Sequence, residues 1–341
     1  MRAGSLKVGV SFGIDEDFVG VMGWLRKQGV GRLVYLGWHA PRGFLKKCAR
    51  EGPLNLWLTA RGRQAMERTA WHLQAAQSTA HPNDAAVYFL TGAKFWYQTA
   101  FCAHSLLAQA GRPLRVVVID DGTLSKEQAA ALARVLPGLE VIWAAETQRR
   151  LDEFLPASRF PNLRQRRLVY PHLRKLTDVH AGGTGWKLVL DSDMLFHHRP
   201  DFLLDWLESP DRPCHMMDVE NAYGYSLGLM TELAGATIPD KLNVGVCGLR
   251  SDAIDWDRLE YWCGAMLERE GSHYLQEQAL TAMLVASTPR AAAPAAEYVV
   301  RPARKETEQP TAVLHHYVAE SKAWYFRFGW RSVQATQRQS R

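Results

Sequence analysis

Three short apolar runs constrain how this chain can fold. Ala86-Val87-Tyr88-Phe89-Leu90-Thr91, Leu114-Arg115-Val116-Val117-Val118-Ile119 and Lys187-Leu188-Val189-Leu190 are each too short for a typical helix. Each is also too continuously apolar for a strand with one wet face. Helical stretches fall between them: Phe95 to Gln109, a helix capped by Ser125 that runs through Leu136, and His172 to His180. Leu139 to Trp143 reads as a further strand. This alternation predicts an α/β fold with a doubly wound, largely parallel sheet.

Open sheets of this kind bind ligands beyond the C-terminal ends of their strands. The third run ends there in Asp191-Ser192-Asp193. In a continuing strand, side chains at i and i+2 share a face, so both carboxylates would serve one hard cation. Mn²⁺ or Mg²⁺ prefers oxygen ligands and bridges phosphate oxygens. A lone D-x-D also describes a strand closing in a polar turn, so the downstream segments decide. Leu242-Asn243-Val244-Gly245-Val246 sets an amide and a glycine among apolar residues. Gly245 either admits close backbone approach to a ligand or marks a bulge. Leu275-Gln276-Glu277-Gln278-Ala279-Leu280 places a carboxylate beside an amide at a helix start. The segment from His315-His316 to Lys322 supplies an imidazole to complete a Mn²⁺ shell and a cation to neutralise phosphate.

Composition narrows the partners. The 341 residues are 47% hydrophobic, enough for a substantial core, and no apolar run is long enough to span a bilayer. The opening Met1 to Lys7 lacks the apolar region of a signal peptide. Cys48, Cys102, Cys214, Cys247 and Cys263 are scattered and form no C-x-x-C pair, which points away from disulfides and zinc and toward the reducing cytosol. The net charge of +6 is uneven: eight basic residues between Arg149 and Lys175 face only Asp152 and Glu153. Such a patch suits a nucleotide diphosphate or a phospholipid surface; no nucleic-acid module accompanies it. Trp324-Tyr325-Phe326-Arg327-Phe328-Gly329-Trp330-Arg331 reads in two ways. Its rings either pack onto the domain or give weak peripheral contact with the inner face of a membrane.

Residues 1–84 carry no motif and read as an N-terminal α/β extension. Its expected strands are Leu6–Phe12, Leu33–Trp38 and Leu54–Thr59, and its expected helices are Phe18–Gln28 and Arg63–Gln77. Residues 85–331 read as one domain and 332–341 as a disordered basic tail. Arg290–Pro294 and Arg301–Pro310 read as loops.

Taken in order, these segments resemble the family 8 glycosyltransferases, the GT-A class that includes glycogenin and bacterial lipopolysaccharide galactosyl- and glucosyltransferases. The family signature H-[FY]-x-G-x-x-K-P-W is matched by His316-Tyr317-Val318-Ala319-Glu320-Ser321-Lys322-Ala323-Trp324, with alanine replacing glycine at 319 and proline at 323. The metal-binding D-x-D falls on Asp191 and Asp193 around Ser192, the N-[SA]-G segment on Asn243-Val244-Gly245, and the D-Q pair on Glu277-Gln278. The opening strand and helix fall on Leu90-Thr91 through Ser105-Leu106. Phe95 then lies near the family's base-stacking position, with Trp96 or Tyr97 as alternatives, and Lys175 is the expected basic residue, with Arg174 and Arg167 as competitors.

The resemblance covers residues 86–330 and implies a Rossmann-like GT-A fold with a mixed, mostly parallel central sheet and helices on both faces, Mn²⁺ (or Mg²⁺) and a UDP-linked nucleotide-sugar donor. It implies sugar transfer with retention to a glycan, glycolipid or protein acceptor. Asp191, Asp193 and His316 would hold the metal, and Lys322 and Lys175 would add fixed positive charge. Asn243, Gln278 and Glu277 would meet the donor sugar. Three other readings stay open: an inverting enzyme using Asp218 or Glu220 as base, a non-catalytic carbohydrate or nucleotide-sugar binder, and a basic surface-binding protein.

Overall fold

The computed structural model describes residues 52–76 and 80–333. The elements expected between Leu6 and Trp38 lie outside them, as does nearly all of the expected basic tail. The chain divides after Leu58 into two units, and the architecture from β1 onward belongs to the second. Where the sequence suggests a strand over Leu54–Thr59, a helix runs instead, α1 (Pro53–Ala70). The alternating leucines mimic a strand, but Pro53 at the first helical position has a preset φ and lacks only an N–H that would go unpaired anyway.

The expected alternation follows. β1 (Ala86–Thr91), α2 (Trp96–Ala110), β2 (Arg115–Asp120), α3 (Lys126–Val135), β3 (Glu140–Ile142), α4 (Ala144–Phe154), α5 (Pro161–Val169), α6 (Arg174–His180) and β4 (Trp186–Leu190) come in chain order. Ser125 caps α3 and exchanges hydrogen bonds with Gln128 in a full capping box. Beyond β4 lie β5 (Met194–Phe196), α7 (Asp201–Glu208), β6 (Cys214–Met217), α8 (Leu227–Ala234), β7 (Leu242–Arg250), α9 (Trp256–Glu270) and α10 (Gln276–Leu284). β8 (Ala291–Ala292), β9 (Tyr298–Val300), α11 (Arg304–Glu308) and β10 (Leu314–His316) complete the elements used below. β8 and α11 occupy the two segments expected to be loops.

The central sheet has seven strands in the order β3-β2-β1-β4-β7-β6-β8. β3, β2, β1 and β4 are parallel, whereas β7 runs antiparallel to both β4 and β6. Both faces are covered. Val87, Phe89, Val116 and Val118 join α2 in one core, while Val117, Ile119 and Val189 pack with Val179 of α6 on the other side. Burial on both faces explains why these strands read as unbroken apolar runs. The α/β fold expected from the sequence is present.

A second sheet of three strands, β5-β10-β9, lies beyond β4. Asp191-Ser192-Asp193 is the passage between the two sheets. The Asp191 amide donates to the Gly245 carbonyl of the large sheet at 2.8 Å, and the Asp193 carbonyl accepts from the Tyr317 amide, just after β10, at 2.9 Å. The aromatic tail belongs to the core: Tyr325, Phe326 and Trp330 are buried. Trp324 and Phe328 stack on each other with the Arg304 and Arg327 guanidiniums over their faces. Of the two readings of that segment, packing onto the domain matches the structure. Among the described residues, no helix is long and apolar enough to cross a membrane.

Candidate metal and nucleotide-sugar site

The D-x-D does not continue β4, as the i, i+2 argument assumed. The chain bends after Leu190, and its two aspartates converge because each is tied to a different sheet. His316, the last residue of β10, faces both: its Nε2 lies 3.3 Å from Asp193 Oδ1 and 3.6 Å from Asp191 Oδ2. One ligand atom from each of the three residues falls within 4.8 Å of the others. Both ring nitrogens of His316 are buried and neither has a hydrogen-bond partner. A buried imidazole is normally satisfied. One left unpaired against two carboxylates has the donor set and the unmet demand that suit a shared divalent cation.

Gly245 makes room for the ring. A Cβ there would stand 2.5 Å from His316 Cε1 and Nδ1 and 2.9 Å from Asn243 Oδ1. The glycine also sits in a bulge. The β6–β7 ladder slips between His215 and Met216, so Val244, Gly245 and Val246 have no partner on β6. Of the two readings of the glycine the bulge holds, and the space a side chain would need is taken by the His316 ring. The bulge is pinned by Asn243, which accepts from the Gly245 amide at 2.9 Å and donates to Asp218 Oδ2 at 2.8 Å.

Two lysines balance the carboxylates. Lys322 Nζ lies 3.1 Å from Asp193 Oδ2, and Lys175 Nζ lies 3.0 Å from Asp191 Oδ1 and 3.4 Å from Glu277 Oε2. Burial opposes charge on Lys175, but Asp191 and Glu277 outweigh it and raise its pKa. Burial likewise works to raise the Asp193 pKa, yet His316 and Lys322 hold it well below the usual carboxylate range. The Asp193 charge raises Lys322 against a smaller burial effect. Glu277 differs: burial lifts its carboxyl to about 7 despite Lys175. Its side chain is only 6% exposed, so it lies beneath the site.

The remaining expected residues separate by exposure. Phe95 is 39% exposed with the Lys94 ammonium 5.1 Å from its ring, whereas Trp96 and Tyr97 are fully buried and cannot stack on a base. Thr91 and the half-buried Leu90 end β1. Arg167 is tied to Asp178 by two hydrogen bonds and Arg174 bonds the Asp121 carbonyl, so of the three basic candidates Lys175 is the one paired with the D-x-D. The Gln278 amide donates to the Ala222 carbonyl at 2.7 Å.

Sequence reasoning missed several neighbours. The Thr99 hydroxyl bridges Thr91 and Ser192, at 2.8 Å each, beneath the D-x-D. Arg301, at φ 59°, donates its amide to the His316 carbonyl, and its guanidinium joins Glu220 to Glu320. Isolated residues in loops carry no periodic signal, and only the fold brings them together.

No protein-family model and no curated protein matches the chain. Solved structures do. A galactosyltransferase, LgtC, in complex with donor and acceptor sugar analogues is 16% identical over 73% of this chain and 95% of its own, with a TM-score of 0.50. Mouse xyloside xylosyltransferase 1 is 12% identical over 69% of this chain and 98% of its own, at 0.47. The bifunctional glycosyltransferase WbbM is 11% identical over 78% and 53%, at 0.48. The architecture is thus that of the GT-A glycosyltransferases expected from the sequence.

Proposed function

We propose that this protein is a glycosyltransferase that moves a sugar from a UDP-linked donor to a hydroxyl-bearing acceptor, a glycan, glycolipid or protein, with retention and with help from Mn²⁺ or Mg²⁺. The reading rests on the convergence of Asp191, Asp193, His316 and Lys322 at the C-terminal edge of a doubly wound sheet. The shared fold of the solved galactosyltransferase supports it. In the reaction the bond from the anomeric carbon to the diphosphate oxygen breaks, and the nucleotide diphosphate leaves with the electron pair. The acceptor hydroxyl oxygen bonds that carbon, and its proton passes to the departing diphosphate. A cation on the three ligands would supply Lewis acidity at that diphosphate.

The chain's own residues do the rest. Lys322 offers a fixed positive charge to the leaving group and is already held in place by Asp193. Lys175 holds the Asp191 carboxylate in place through a 3.0 Å contact. Phe95 offers an exposed ring at the β1 edge for the base. Retention is favoured by the state of the two candidate bases. Asp218 is occupied by Asn243 and by the Val219 amide, and Glu220 is occupied by Arg301.

Thermal unfolding with UDP and Mn²⁺, separately and together, tests the reading. A ligand that binds only the native state raises the melting temperature. The expected result is a rise with both ligands that disappears in Asp193→Ala. No rise in the wild type would sink the proposal. Hydrolysis of a UDP-sugar panel separates an enzyme from a binder, and the anomeric coupling in the product separates retention from inversion.

A further inference from the structure

The C-terminal end of α5 is unusual. Leu168 and Val169 are 63% and 61% exposed, and Tyr274, just before α10, is 66% exposed. Pro171 and His172 are exposed beside them, with the His172 and Tyr274 rings 4.8 Å apart. Leu168 and Val169 close α5, the chain breaks its helical path at Tyr170 (φ -132°, ψ 89°), and Pro171 and His172 follow in a short turn. The arginines nearby are committed elsewhere. Arg164 bonds Asp152 and two carbonyls, Arg166 bonds Gln276 and the His273 carbonyl, and Arg167 bonds Asp178. The patch is therefore apolar and presents none of these guanidiniums to an anionic surface.

Its position suggests an occupant. His172 lies three residues before Lys175 and Tyr274 three before Glu277, so the patch shares its supporting elements with the site. Both rings feel the charges of Asp191, Asp193 and Lys322. Lys175 adds a further charge within electrostatic reach of both rings. Phe95, the candidate base contact, follows β1 on the side packed by α2, whereas α5, α6 and α10 cover the other face. An acceptor must approach the sugar from a side the nucleotide leaves open.

On the transferase reading above, we infer that Leu168, Val169, Pro171, His172 and Tyr274 form the acceptor platform, and that the acceptor presents its hydroxyl on an apolar aglycone, as an alkyl or aryl glycoside does. Aliphatic chain would cover Leu168 and Val169, and the sugar would lie against the two rings.

Initial rates with free sugars and with methyl, butyl and octyl glycosides of glucose and galactose test this, with UDP-sugar hydrolysis by water measured in parallel. Burying one methylene is worth about fourfold in affinity, so KM is expected to fall at least tenfold from methyl to octyl. Leu168→Asn and Val169→Asn should flatten that series while leaving donor hydrolysis and UDP–Mn²⁺ stabilisation unchanged. Both side chains are exposed, so neither variant endangers folding. An active wild type whose KM ignores chain length overturns the inference and leaves the transferase reading standing. The same holds if the variants keep the full chain-length dependence, or if the patch instead drives self-association or vesicle binding. A wild type with neither donor hydrolysis nor UDP–Mn²⁺ stabilisation removes both.

Discussion

Gly245→Ala isolates the metal site from the rest of the fold. The added Cβ would stand 2.5 Å from two atoms of the His316 ring. Carbon contacts are normally at least about 3.5 Å long, so something must retreat by about 1 Å. The β7 backbone has little freedom to move, because the Gly245 carbonyl and amide are both bonded, to Asp191 and to Asn243. The ring therefore moves, and it is only 2% exposed. Metal–ligand distances tolerate about 0.2 Å, so a displacement several times larger separates the imidazole from the two carboxylates. We expect Mn²⁺ affinity to fall by about 10- to 100-fold, the range seen when ligand support is disturbed. Overpacking should also cost about 1–3 kcal/mol of stability. Mn²⁺ titration followed by electron paramagnetic resonance reads the first effect without any substrate, and urea unfolding reads the second. Wild-type Mn²⁺ affinity in a folded Gly245→Ala protein would refute the argument that Gly245 makes room for a metal-binding His316.

Three further outcomes are expected. Arg167→Met should lose about 3–5 kcal/mol in urea unfolding, because it strands the fully buried Asp178 carboxylate without its guanidinium; Arg167→Met with Asp178→Leu should recover most of that loss. Glu277 binds its proton more tightly folded, at about 7, than unfolded, near 4.5. Its contribution to stability is therefore full below pH 4.5 and lost as the pH rises toward 7, by up to about 3 kcal/mol, and metal-free Glu277→Gln should flatten that segment of the stability profile. Ala319 adopts φ 51°, a conformation costing an L-residue about 1–2 kcal/mol. Ala319→Gly should raise stability by about 0.5–1 kcal/mol once the greater freedom of unfolded glycine is subtracted; a lower urea midpoint would contradict this.

The Ala319 backbone also shows how far residue types alone carry the reading. The signature glycine is replaced, yet the chain keeps the left-handed turn that glycine favours. The main strands were readable because sheet burial on both faces writes continuous apolar runs, and β1 spans the residues expected of it. β5, β9 and β10 have three residues each, too few to show a period, so the second sheet left no trace in the sequence. That Asp191, Asp193 and His316 come together was readable, but the reason they meet was not. A continuing strand was expected to align the aspartates, and a crossing between sheets does so instead. Trp324 to Trp330 kept two readings because composition cannot distinguish rings facing lipid from rings facing a core.

That crossing makes the Asp191–Asp193–His316 cluster a gauge of how the two sheets meet. One aspartate follows the large sheet through Gly245, the other follows the small sheet through Tyr317, and the imidazole comes from the small sheet's central strand. The bite of the three ligands is therefore set by the angle at which two sheets meet. Were a cation held there, residues such as Phe196 and Tyr298, buried in the small sheet and absent from the candidate ligand set, would share control of which ionic radius fits. Selection for one metal over another would then act through hydrocarbon packing, with every candidate ligand unchanged.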